Sequence, residues 1–161
     1  MSGGWHILNA RDAQWFESRD LGCYANFEQG ERFPELGVNI VMAKPGQPIA
    51  MYHREPHQEG FLVLSGEAIA IVEGEERPLR AWDYLHCPAG VDHVVVAAGT
   101  EPCVLLAVGS RVGEKGVVYP VDDAALAHGA GVTSETDSPQ EAYAPFPEDV
   151  ETPFREEFLP G

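Results

Sequence analysis

Cysteine is scarce in this chain of 161 residues: Cys23, Cys87 and Cys103 are the whole set, odd in number and without CxxC spacing. That argues against a disulfide framework and predicts buried free thiols in a reducing cytoplasm. Basic residues are scarce as well, ten Lys plus Arg against 26 Asp plus Glu, for a formal net charge of −16. Nucleic acid and anionic membranes need clustered Lys and Arg, so neither is expected as a partner. No apolar run is long enough to span a bilayer. The opening residues, MSGGWHILNARDAQW, lack a basic region followed by an apolar stretch, so no signal peptide is expected. There is no internal repeat and no basic helix of the kind that reads DNA. What remains is one acidic, cytoplasmic domain, long enough to bury a core.

What the chain has in quantity is strand-forming sequence. Apolar runs punctuated by Gly and Pro predict strands at 36–43, 49–53, 61–64, 68–72, 76–79, 82–87, 91–97 and 103–108, with a hairpin turn at Glu73-Gly74-Glu75. Many short strands at close spacing predict an all-β sandwich or barrel. Runs such as Phe61-Leu62-Val63-Leu64 and Val94-Val95-Val96 suit strands covered on both faces. Asn9 reads as the N-cap of a short helix anchored by Trp15 and Phe16, and 122–128 as a second short helix closed by Gly129. Residues 1–35 form an N-terminal arm, 36–111 the barrel, and 112–161 a helix with an acidic, proline-rich tail. Tyr143, Phe146, Phe154 and Phe158 suit a tail lying across the barrel or a partner subunit, whereas its composition equally suits a mobile acidic segment.

The chemistry concentrates in Tyr52 to Gly66 (YHREPHQEGFLVLSG) and in Pro88 to His93 (PAGVDH). In a strand, alternate residues share a face, so His53 and Glu55 can converge. In a straight strand Glu59 would lie about 20 Å from His53, too far for one metal. Pro56 supplies the break that folds it back. Two carboxylates about 4 Å apart repel by roughly 4 kcal/mol, which a divalent cation, or a proton taken up by one of them, would remove. The candidate ligands are therefore His53, Glu55, Glu59 and His93, with His57 as a spare. Two imidazoles with a carboxylate and an open position suit Fe, Mn, Zn or Ni. His6, His86 and His128 read as structural or surface residues.

These motifs resemble those of the cupins. The first cupin motif, a Gly, then His-x-His, a Glu and a closing Gly, is matched by His53, Glu59 and Gly66. The second, Pro-x-Gly, two residues and His, is matched by Pro88, Gly90 and His93. The resemblance runs from about Gly37 to Gly109. It implies a double-stranded β-helix (jelly-roll) barrel, usually a homodimer. Glu55 stands where the second His belongs, Trp82 and Ala97 replace a Gly and an Asn, and Gly46 comes one residue early. With Glu55 included, the ligands form a two-His, two-Glu set.

The resemblance implies a small-molecule enzyme, dioxygenase or isomerase, with Glu59 or Glu55 doubling as general base. A ligand-binding or sensing module without turnover is the other class. Tyr52, Trp82 and Tyr84 shape a pocket or fill the core. Phosphorylated sugars fit poorly, because few cations are present and Arg54 alone flanks the motifs.

Overall fold

The computed structural model describes residues 4–160. After a short 3-10 turn (Ala10–Asp12) capped by the Asn9 side chain, the strands follow in order. They are β1 (Trp15–Ser18), β2 (Gly22–Asn26), β3 (Leu36–Ala43), β4 (Glu59–Ser65), β5 (Glu67–Val72), β6 (Glu75–Arg80), β7 (Tyr84–Cys87), β8 (His93–Ala98) and β9 (Cys103–Ser110). Helices α1 (Asp123–Ala127) and α2 (Pro139–Ala142) lead to β10 (Val150–Thr152). Seven strands make one sheet in the order β10-β1-β2-β3-β9-β4-β7, and β6-β5-β8 make the other. All pairings are antiparallel, as the all-β barrel requires. Among the described residues no helix is long and apolar enough to cross a membrane.

The alternation of side chains explains the apolar runs. Val95 and Ala97 of β8 face the barrel interior with Val41, Phe61, Val63 and Leu105. Val94 and Val96 face outward, where Tyr52, Ile71, Ala125 and Ala130 cover them. Both faces of β8 are thus buried, so no polar residue interrupts it. The large sheet is covered outside as well: Trp15, Met42 and Val104 pack against Phe158 from the tail. The three cysteines are free and buried in these cores.

Two short turns demand their residues. Glu73 and Gly74 both have positive φ (48° and 79°), the two-residue turn that suits the strand twist between β5 and β6. Gly66, which closes the first motif, has φ +77°, and a Cβ there would lie 2.4 Å from the Pro102 carbonyl oxygen.

Three expectations change. The N-terminal helix is a single 3-10 turn, and Trp15 and Phe16 belong to β1 instead. Residues 49–53 form no continuous strand, only bridges at Pro48–Val96 and His53–His93. Their backbone turns elsewhere: Met51 N–H donates to the Tyr143 hydroxyl and Tyr52 N–H to the Ala130 carbonyl. Trp82 and Tyr84 are 74% and 61% exposed and belong neither to the core nor to the cavity beside His53 and His93, because Trp82 sits in a turn with φ +77° and Tyr84 on β7 at the edge of the large sheet. The tail lies across the barrel, with β10 paired to β1 and Phe158 fully buried.

Candidate metal centre

The two motifs meet through backbone. His53 N–H donates to the His93 carbonyl (3.1 Å) and His93 N–H returns to His53 (2.9 Å). Gly90 N–H, in the Pro88-Ala89-Gly90 turn, donates to the Glu55 carbonyl at 2.8 Å. This brings the imidazole rings to 4.7 Å between centroids. Glu59 reaches them from the first position of β4, between β7 and β9.

Each ring is fixed by its far nitrogen. His53 Nδ1 lies 2.7 Å from the Met51 carbonyl oxygen, and His93 Nδ1 lies 2.9 Å from that of Val91. With Nδ1–H donated, each Nε2 points at the common centre and, when its ring is neutral, carries the lone pair that a metal needs. Glu59 Oε2 sits 3.2 Å from His53 Nε2 and 2.8 Å from His93 Nε2. Beyond that carboxylate contact, the buried His93 Nε2 has no other partner among the described residues. The donor atoms of His53, Glu59 and His93 all fall within 4.8 Å of one another. A buried sp² nitrogen beside a second imidazole and a carboxylate fits a divalent metal ion.

Charge tells the same story. Burial pulls the Glu59 carboxyl upward, but hydrogen bonds and charge from His53 and His93 outweigh it and hold the group well below the usual carboxylate range. Burial pulls His93 downward, but the Cys87 thiol and the Glu59 carboxylate outweigh that and raise it. Each group therefore favours the charged form of the other, a carboxylate beside an imidazolium.

Of the five candidate ligands the structure brings three together. Glu55 stands at the rim, its Oε1 3.8 Å from His53 Nε2 and its Oε2 3.7 Å from His57 Nδ1. The expected convergence of His53 and Glu55 assumed a regular strand, yet pairing ends at Arg54–Val118 and Pro56 turns the chain. His57 lies behind Glu55, outside the cluster. His6 packs on Phe33, His86 is exposed and His128 pairs with Glu76.

The cluster forms part of the wall of a cavity of about 330 Å³, with Asn39, Phe61 and Val95 among its other walls. Tyr143 and Asp149 from the tail close one side, and Asp149 accepts a 2.8 Å hydrogen bond from Tyr24. Motif reading gave these two residues no place in the site. The tail aromatics were the sole signal, and a contact 92 positions away along the chain, Tyr143 to Met51, has no local signature. A second cavity of about 460 Å³ adjoins the first, sharing Asn39, Glu59 and Ala107 and bordered by Glu55 and His57.

Residues 39–109 match the family described as Cupin domain. The chain is 30% identical over 105 residues to the mannose-1-phosphate guanylyltransferase of Salmonella montevideo, a match that covers 62% of this chain and 21% of that one. It thus spans about a fifth of the length of the curated relatives it matches. A sugar phosphate isomerase from a cupin superfamily of Silicibacter pomeroyi superposes with a TM-score of 0.61 at 19% identity, over 74% of this chain and 88% of that one. An RmlC-like cupin of Shewanella frigidimarina gives 0.59 at 20% identity, over 71% and 97%. Those likenesses are of fold. With the matched motifs and the double-stranded β-helix, the family match shows that residues 39–109 of this chain form a small cupin domain.

Proposed function

We propose that the protein is a metal-dependent enzyme acting on a small, oxygen-rich molecule, of isomerase rather than dioxygenase type. One observation carries the reading: His53, Glu59 and His93 converge on a single point in the wall of a cavity. A divalent ion (Fe, Mn, Zn or Ni) held there would supply polarisation of a bound carbonyl or hydroxyl oxygen. The chain's own residues would do the rest. Glu59, engaged by both imidazoles, is a ligand and a poor base. Glu55, with 31% of its side chain exposed, is free to take and return a proton. The Tyr143 hydroxyl accepts from Met51 N–H and keeps its own proton to donate to a ligand oxygen. Phe61 and Val95 keep water from the inner wall. Two proton-moving groups near one polarising centre suit transfer of a proton between neighbouring carbons, and this favours isomerisation.

The test is elemental analysis of wild type, His53→Ala and His93→Ala, followed by proton NMR in D2O with a panel of small hydroxy-ketones. Near-stoichiometric metal, lost in both variants, with metal-dependent exchange of the proton beside the carbonyl, is the expected result. No metal after reconstitution would sink the proposal. Oxygen consumption without exchange would move it to dioxygenase chemistry. Tight ligand uptake with neither would mark a binding module.

A further inference from the structure

The scarcity of cations makes their placement informative. Three of the ten, Arg32, Arg111 and Lys115, border the second cavity. They come from two loops, before β3 and after β9, that are knitted together by Arg111. Its N–H donates to the Glu35 carbonyl, and its guanidinium donates to the Phe33 carbonyl (2.8 Å) and pairs with Glu28. Arg111 is thereby neutralised and serves as the clamp. Arg32 and Lys115 have no carboxylate partner among the described residues, so their charge is available to a ligand.

A second observation comes from the opposite wall. His57 also borders this cavity, its side chain is nine-tenths buried, and its Nε2 has no hydrogen-bond partner among the described residues. A buried ring nitrogen left unpaired is costly, and a ligand would remove that cost. Gly116 leaves open space on the cation side of the same cavity, across from the carboxylates of Glu55 and Glu59.

We infer that this second cavity is an anion subsite, in which Arg32, Lys115 and His57 hold the phosphate or carboxylate end of a substrate whose other end reaches the His53–Glu59–His93 centre. The inference rests on the metalloenzyme reading for the role of that far end. It reverses the expectation that phosphorylated sugars fit poorly, because cations dispersed in sequence are gathered by the fold. Charge-assisted hydrogen bonds from a guanidinium suit either oxyanion.

The test is calorimetric titration of the full, metal-loaded chain with inorganic phosphate and, separately, with acetate. The comparison is Arg32→Ala/Lys115→Ala against Arg77→Ala/Arg80→Ala, which removes the same charge from exposed positions on β6. We expect the first pair to weaken binding about tenfold and the second to leave it near wild type. Tighter phosphate than acetate assigns a phosphate ester, and the reverse a carboxylic acid. Binding of neither anion, or equal binding by both double variants, would overturn the subsite. Metal content is measured in the same samples. Metal without anion binding would sink the subsite alone, and anion binding without metal would sink the metalloenzyme reading alone.

Discussion

Two imidazoles and a carboxylate share the barrel wall because something positive holds them there. In protein stripped of metal, a proton on His93, favoured by the Cys87 thiol and the Glu59 carboxylate, would fill that role, and this gives a pH signature. The folded state binds the proton more tightly than the unfolded chain, since His93 is raised, against the pull of its burial, by Cys87 and Glu59. Its contribution is full below the ordinary histidine value near 6.5 and is lost as pH rises through the raised value. Glu59 is held low, so its contribution is present above about pH 4.3 and is lost on acidification below that. Metal-stripped protein should therefore melt highest between these limits and lose stability progressively above neutrality. Metal-loaded protein should not show the alkaline decline, because the ion replaces the proton on His93. Melting temperature against pH, with and without chelator, checks this. Parallel curves above pH 7 would mean that no ion takes the proton's place.

At the scale of elements, the tail is part of the barrel. Phe158 is fully buried against Trp15, with ring centroids 4.8 Å apart, and Tyr143 caps the edge that residues 49–53 leave without a strand partner. Phe158→Ala should cost about 3–5 kcal/mol, as expected for emptying a core aromatic site. Tyr143→Phe keeps the ring but strands the Met51 N–H, which should cost about 1–3 kcal/mol and leave metal content unchanged. Denaturant unfolding measures both, and a loss below 1 kcal/mol for Phe158→Ala would mean that the tail is not docked. The same elements show what could be read in the sequence. Strands, turns and the meeting of three side chains were legible because alternation, Gly and Pro act over a few residues, and because His53, Glu59 and His93 sit in motifs of fixed spacing. Glu55 reaches His53 at 3.8 Å but stands outside the three-residue group, because strand geometry does not extend past the point where pairing stops. Tyr143 and the Arg32–Lys115 cluster were invisible because each joins segments far apart in the chain, and no local pattern encodes such a contact.

Over the whole molecule the charge is lopsided. From Thr133 onward there are eight acidic residues and one basic residue, Arg155, and the rest of the chain is acidic too. The tail is therefore held to a body of like charge, by Phe158 and Trp15 in the core and by Arg155 paired with Glu17. Repulsion between exposed charges is screened beyond about 8 Å at physiological ionic strength, but reaches about 30 Å at 0.01 M salt. The buried contacts of Phe158 are apolar and gain nothing from dilution of salt. Low salt should therefore loosen the tail before it affects the barrel. Hydrogen exchange should speed up in β10 and around Phe158 when salt is lowered from about 0.15 M to 0.01 M, with β3 and β9 protected at both. Moderate salt should likewise raise the melting temperature of the full chain. Exchange in β10 that is independent of salt would show that Arg155–Glu17 and the aromatic contacts outweigh the repulsion, and that the wall carrying Tyr143 stays closed whatever the ionic strength.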